Sequence, residues 1–290
     1  MPCYTTRRTL DNPRPIVGVT PTRGWGCGLT GVRLCHDAIK IVHTTLVTTH
    51  AWPELRVTHL SEYSRDVLLK AAKALQKNEH KYADIRARLK KDEKFTMILG
   101  RLVIDRLASI HGPARLRGID HIAIFQLGVG DLCVERVQVL AASGTYQFWI
   151  IRAKEPYLNP GLIEVLRTTF FATSTSFGYK YQIHYKSSHP TRLEPELTAP
   201  LVALAATGLY AGLHAWQSGR KVDSDFDGDI FKPIFDHHLE EINNLKADNP
   251  IAYHVLMNML YSKVIEQQTT ADIGKKQRSA LAVADLSAFV

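Results

Sequence analysis

Residues 199–219, APLVALAATGLYAGLHAWQSG, constrain the fold more than any other stretch of the chain. Apolar residues fall on every side of a helical wheel here, and such a helix has to be covered all round, by protein or by lipid. Lipid is the weaker option. The apolar run from Leu201 to Trp216 is shorter than the ~20 residues that cross a bilayer, and Thr207 and His214 interrupt it. The segment therefore predicts the buried centre of a helical domain, with Pro200 in its first turn and Gly219 ending it. Gly208 and Gly212 lie one turn apart, so one face lacks side chains and admits a neighbouring backbone.

A buried helix needs others around it, and the chain supplies them. Residues 31–50 have spacing that suits a helix, although the β-branched run Ile41, Val42, Thr44, Thr45 and Val47 also suits a strand. A helix over 61–78 starts at Ser61 and turns Val67, Leu68, Ala71, Ala72 and Leu75 inward. The next spans 94–110, with Phe95, Ile98, Leu99, Leu102 and Leu107 inward, and Gly112-Pro113 stops it. Shorter helices follow at 114–126 and 131–142, divided by a loop at Gly128–Gly130.

Asn159-Pro160 opens a helix leading to Phe170 and Phe171. An amphipathic helix over 229–247 buries Phe231, Ile234, Phe235, His238, Leu239, Ile242 and Leu245. Asn249-Pro250 opens a last helix with Ala252, Val255, Leu256, Met259, Leu260 and Val264 inward. No fixed repeat and no βαβ rhythm appears. The fold class is mainly α: a single helical domain with at most a minor β element near 145–152. Residues 55–267 form that domain. Residues 1–54 read as an irregular or partly helical extension, and 268–290 as a tail.

The charge is unevenly placed. The net of +8 divides into a surplus of eleven cations before residue 119 and a deficit of three after it. Within the surplus, Lys70, Lys73, Lys77 and Lys81 recur at spacings of three, four and four, which aligns them on one stripe if the helix runs that far. Arg86, Arg88, Lys90, Lys91 and Lys94 follow directly. These nine residues are the candidate nucleic-acid contacts, because clustered cations neutralise phosphates and release counterions. A solvated helix face explains the same pattern. Tyr82 and Phe95 are the only aromatics in the segment, which gives no platform for base stacking, and no base-reading motif is present.

Other motifs carry less. Gly26, Gly28 and Gly31 match the dinucleotide fingerprint, but no strand precedes them and no βαβ unit follows, so no cofactor is expected. Asp223, Asp225, Asp227 and Gly228 fit the start of a calcium loop, yet Ile234 replaces the bidentate acid. The alternative is an interhelical turn in which Asp227 or Asp229 caps the next helix. His237 and His238 are adjacent on a helix and diverge, so His238 reads as core and His237 as surface beside Glu241. Cys3, Cys27, Cys35 and Cys133 lack zinc spacing and read as free thiols. No secretory leader is expected from MPCYTTRRTLDNPRP, which points to an intracellular, soluble protein in the nucleus or cytoplasm. Lys275-Lys276-Gln277-Arg278 has the character of a nuclear import signal, though such runs are common.

Several segments, in order, carry a family likeness: RLVIDRLASIHGPARLRG at 101–118, FQLGVGDLCVERVQVL at 125–140, YLNPGLIEVLRTTFF at 157–171 and SFGYKYQIHYKSSHP at 176–190. APLVALAATGLYAGLHAWQSG at 199–219 and NPIAYHVLMNMLYS at 249–262 complete it. On these residues the chain from about 58 to 266 resembles the fungal domain of unknown function 6532, abundant in mushroom-forming fungi. The resemblance implies a predominantly helical domain and brings no activity, cofactor or catalytic residue. Two functions stay open. One is a non-enzymatic interaction module that touches nucleic acid, chromatin or another protein through the basic N-terminal helices. The other is an enzyme or small-ligand binder with a site between helices, which requires a pocket with converging polar side chains.

Overall fold

The computed structural model describes residues 29–52, 57–77, 79–142, 156–222 and 225–265. Ten helices occur in this part and no strand, so the chain is mainly α. The element expected near 145–152 lies outside the described residues. No described helix is long and apolar enough to cross a membrane.

The predicted central helix forms. In chain order the helices that precede it are α1 (Leu29–Thr48), α2 (Val57–Gln76), α3 (Lys81–Lys91), α4 (Glu93–Asp120), α5 (Asp131–Ala142), α6 (Pro160–Phe170) and the single turn α7 (Phe177–Lys180). The centre itself is α8 (Ala199–His214), in which every residue but Tyr210 and His214 is buried. After it come α9 (Gly228–Asp248) and α10 (residues 250–265). The Thr207 hydroxyl, wholly buried, donates to the Ala203 carbonyl at 2.8 Å, so the one polar side chain in the middle of α8 is satisfied within its own helix. The helix ends at His214 rather than at Gly219, which instead holds φ +79° in the turn beyond. There the Gly219 carbonyl accepts from the Gly130 N–H at 2.9 Å, pinning the loop before α5 to the end of α8.

The neighbour that uses the glycine face of α8 is α4. A Cβ on Gly118 would lie 1.8 Å from the Gly208 carbonyl oxygen, and one on Gly208 would lie 2.4 Å from that of Ala114. One on Gly212 would lie 2.6 Å from the Gly118 oxygen. Backbone meets backbone, and no side chain of any size fits between.

This contact corrects two expectations. Helix α4 does not stop at Gly112-Pro113 but runs 28 residues straight through. A mid-helix proline removes one hydrogen bond and crowds the preceding turn. Here Ala114 and Gly118 must stay in helical register to seat on Gly208 and Gly212, and that packing offsets the loss. Ile98 and Leu102 are also not inward: they are 36% and 48% exposed, while Thr96, Gly100, Val103 and Ile110 take the buried positions.

Helices α1, α2 and α3 also pack against α4. Leu34, Ala38, Val42 and Leu46 of α1 recur every four residues and are wholly buried in the same core as α8. The β-branched run of α1 is helical because this stripe is inward. Helix α2 begins at Val57, so Ser61 sits inside it and is not its cap. Its inward set, Val67, Leu68, Ala71, Ala72 and Leu75, is buried as the spacing predicts.

Side-chain caps hold the later helices. Asn159 accepts from the Gly161 N–H at 2.7 Å to start α6, and Asp227 from the Asp229 N–H at 3.0 Å to start α9. Asn249 accepts from the Ala252 N–H at 3.0 Å to start α10. On α10, Val255 and Met259 are 39% and 37% exposed; Tyr253, His254 and Met257 are buried instead.

Candidate functional site

The nine predicted cations do not form one stripe. Helix α2 ends at Gln76 and a turn separates it from α3, so Lys81 starts a different helix from Lys70 and Lys73. Lys70, Lys73 and Lys77 lie exposed opposite the buried face of α2. Two of the nine are already engaged. Lys81 Nζ is 2.5 Å from a Glu79 carboxylate oxygen, and Arg33 donates to the other at 2.5 Å. The hydrogen bond from Lys81 is the main cause that holds the Glu79 carboxyl below its usual range. Arg88 donates to Asp92 at 3.0 Å and lies 4.0 Å over the Phe95 ring. Asp92 in turn caps α4, accepting from the Phe95 N–H at 2.9 Å, and that backbone bond chiefly depresses its carboxyl pKa. Lys94, exposed at the start of α4, adds its charge to the same effect.

Arg86, Lys90 and Lys91 are different. They line one open groove of about 250 Å³, together with Gln76 at the end of α2 and Ala83 and Ala87 of α3. The cause is local. Tyr82 and Leu89 are the buried residues of α3, and positions 83, 86, 87 and 90 fall on the flank beside them, next to the end of α2, with Ala83 and Arg86 half-buried. Among the described residues none of these three cations has a carboxylate within ion-pair distance. Asp84 is on α3 too, in the first turn, while Lys90 and Lys91 are in the last. Cations in a last turn also favour the helix dipole, so two of the three serve the helix as well as the groove. Sequence reasoning found the cations but missed Gln76, Ala83 and Ala87. The signal was there: alanines four apart, interleaved with Arg86 and Lys90, make a helix face with a low floor between tall charged walls.

Three buried polar clusters test the enzyme alternative. His254 of α10 donates from Nδ1 to Glu196 at 2.6 Å, and both side chains are nearly unexposed. Glu196 also accepts from the Ser188 N–H at 2.8 Å and the Ser188 hydroxyl at 3.1 Å. Ser187 Oγ lies 3.2 Å from the same Nδ1. A serine hydrolase needs serine and carboxylate on opposite ring nitrogens, so that one nitrogen takes the proton while the other is held. Here both crowd Nδ1, and Nε2 is 3.5 Å from Glu194. The cluster ties the 187–196 loop to α10 and has no base aimed at a nucleophile.

Tyr157 donates to Glu241 at 3.0 Å and lies 3.1 Å from His238 Nδ1. Its backbone is left-handed, at φ +61°, a conformation that costs a bulky residue about 1–3 kcal/mol. Burial pushes the His238 imidazole below its ordinary pKa. His43 of α1 lies 3.0 Å from the Tyr181 hydroxyl; burial, with Arg106 and Lys180 nearby, lowers its pKa to about 4.

The remaining motifs stay structural where they are described. Asp227 caps α9, Asp225 is exposed, and Asp223 lies outside the described residues. No group of three metal-ligating side chains occurs among the described residues. His238 is core, and the exposed His237 is 3.5 Å from Glu241, as the helical spacing predicts. Gly26 and Gly28 lie outside the described residues, while Gly31 is buried in the first turn of α1. Cys35 and Cys133 are buried and in no disulfide.

Comparison with known proteins adds a family. A family model with the description "Domain of unknown function (DUF6532)" matches residues 37–245, from within α1 to near the end of α9. No curated protein and no solved structure matches the chain.

Proposed function

The chain belongs to the DUF6532 family, a name that assigns no activity, and we propose from its own surface that it is a non-enzymatic interaction module that binds nucleic acid. The observation that carries this reading is the lining of one groove by Arg86, Lys90 and Lys91 with no carboxylate partner among the described residues. Three cations held side by side repel one another, and an anionic partner relieves that repulsion. The exposed Lys70 and Lys73 on α2, with Lys77 in the turn after it, extend the positive field that steers such a partner inward. The nine cations between residues 70 and 94 face four carboxylates in the same span, and Glu79 and Asp92 are neutralised by Lys81, Arg33 and Arg88. We place this module inside the cell, in nucleus or cytoplasm, and among the mushroom-type fungal members of the family.

The test is fluorescence anisotropy with the full chain and labelled nucleic acid across a salt series. Three neutralised phosphates predict a loss of about 40-fold in affinity between 50 and 200 mM salt. Undetectable binding, or binding indifferent to salt, overturns the reading. Equal binding to polyglutamate shows that charge alone is recognised and overturns it too.

A further inference from the structure

Resting on that reading, we infer that the groove takes double-stranded nucleic acid by its phosphate backbone, with no base stacked and no base read. Single strands are held well when bases stack on aromatic side chains. The groove offers none: Tyr82 is wholly buried, and Phe95 is 8% exposed with the Arg88 guanidinium on its face. Base reading needs several groups that match donors and acceptors on a base edge. Gln76 is the only lining side chain with both, and one amide does not distinguish four bases.

With stacking and base reading gone, charge density decides. A duplex carries one phosphate per ~1.7 Å of axis, about twice the density of one of its strands. The ligand's stiffness works in the same direction. Helix α3 spans 11 residues and presents its three cations along the groove. A duplex meets such a surface already ordered, whereas a flexible strand loses freedom when it is laid along it. Ala83 and Ala87 keep the floor of the groove low, so a phosphate backbone reaches between Arg86 and Lys90 without displacing a side chain.

The experiment compares a labelled DNA duplex of about 20 base pairs with either strand alone, using the full chain at one salt concentration and then across a series. The duplex is expected to bind at least about five-fold tighter, A·T-rich and G·C-rich duplexes alike within about two-fold, with a log–log salt slope near −2.7. Lys90→Gln is expected to lower the slope by about one, and Arg86→Gln/Lys90→Gln/Lys91→Gln to remove most of it, with an unchanged helical circular-dichroism spectrum. Lys70→Gln/Lys73→Gln/Lys77→Gln, outside the groove, is expected to change the slope less than the groove triple does. Single strands binding as tightly as the duplex overturn the inference and leave the nucleic-acid reading standing. No binding to either form overturns both. A groove triple that binds like the parent, or an α2 triple that lowers the slope as much, shows that the groove is not the seat.

Discussion

Where α4 crosses α8, the residues are as small as residues can be. Gly118, Gly208 and Gly212 let two backbones touch, and the fold leaves no choice at those positions. On the outer face of α2 and α3 the residues are long and charged, and Lys70, Lys73, Lys77, Arg86, Lys90 and Lys91 touch no acidic partner among the described residues. Both regions are helical surfaces in one protein. In the first, side-chain identity is dictated by the neighbour already present. In the second, the helices would form with many other polar residues, so the fold itself leaves the choice of lysine and arginine open. This contrast separates positions that the packing dictates from those on which the proposed binding rests.

Substitutions measure the contrast, and at pH 7 their effects on unfolding free energy are expected to fall in a fixed order. Gly118→Val comes first. Its Cβ meets a backbone oxygen that cannot swing aside, and overpacking of this kind costs about 3 kcal/mol or more, readable by urea denaturation. Glu196→Ala follows, at about 2–3 kcal/mol, because the Ser188 N–H and the buried His254 ring lose their acceptor. Asn159→Ala removes the cap of α6 and costs about 1 kcal/mol. Each groove cation replaced by glutamine shifts stability by no more than about 0.5 kcal/mol while weakening nucleic-acid binding. A groove variant that unfolds as readily as Gly118→Val would erase the distinction between the two regions.

Acid adds a probe of α1. His43 stays neutral in the folded chain down to pH about 4, whereas the unfolded chain takes up its proton near the ordinary 6.5. The unfolded state therefore binds more protons between these values, and stability falls as pH drops from about 6.5 to 4. His111 and His238, also pushed down by burial, act in the same direction. In His43→Gln the decline over that window is expected to be shallower by one proton's share, measured as denaturation midpoint against pH.

The core was legible in the sequence because its signal is periodic. The stripes of α2, α6 and α9, the caps at Asn159 and Asp227, and the glycines of α8 all follow from local spacing. What escaped was set by contacts distant in sequence. Pro113 reads as a stop, and only the seat that Gly208 offers to Gly118, ninety residues later, explains why α4 goes on. Ile98 and Leu102 read as core, yet their face of α4 is only partly covered, at 36% and 48% exposure. The candidate site was half legible. Nine cations were visible as a cluster, but their division into engaged, scattered and groove-lining sets depends on the turn after Gln76, which breaks the stripe.

The length of α4 has a mechanical consequence. A 28-residue helix is a rod of about 42 Å, built into α8 at one end and carrying the α2–α3 groove at the other. Both regions therefore hang on one continuous backbone, with Phe95, Leu99, Val103 and Leu107 packed into the core along its length. Its weakest section lies near Pro113, where one rung of the hydrogen-bond ladder is missing. That section lies between the buried Ile110 and Ala114, so the core splints the rod where its ladder is broken.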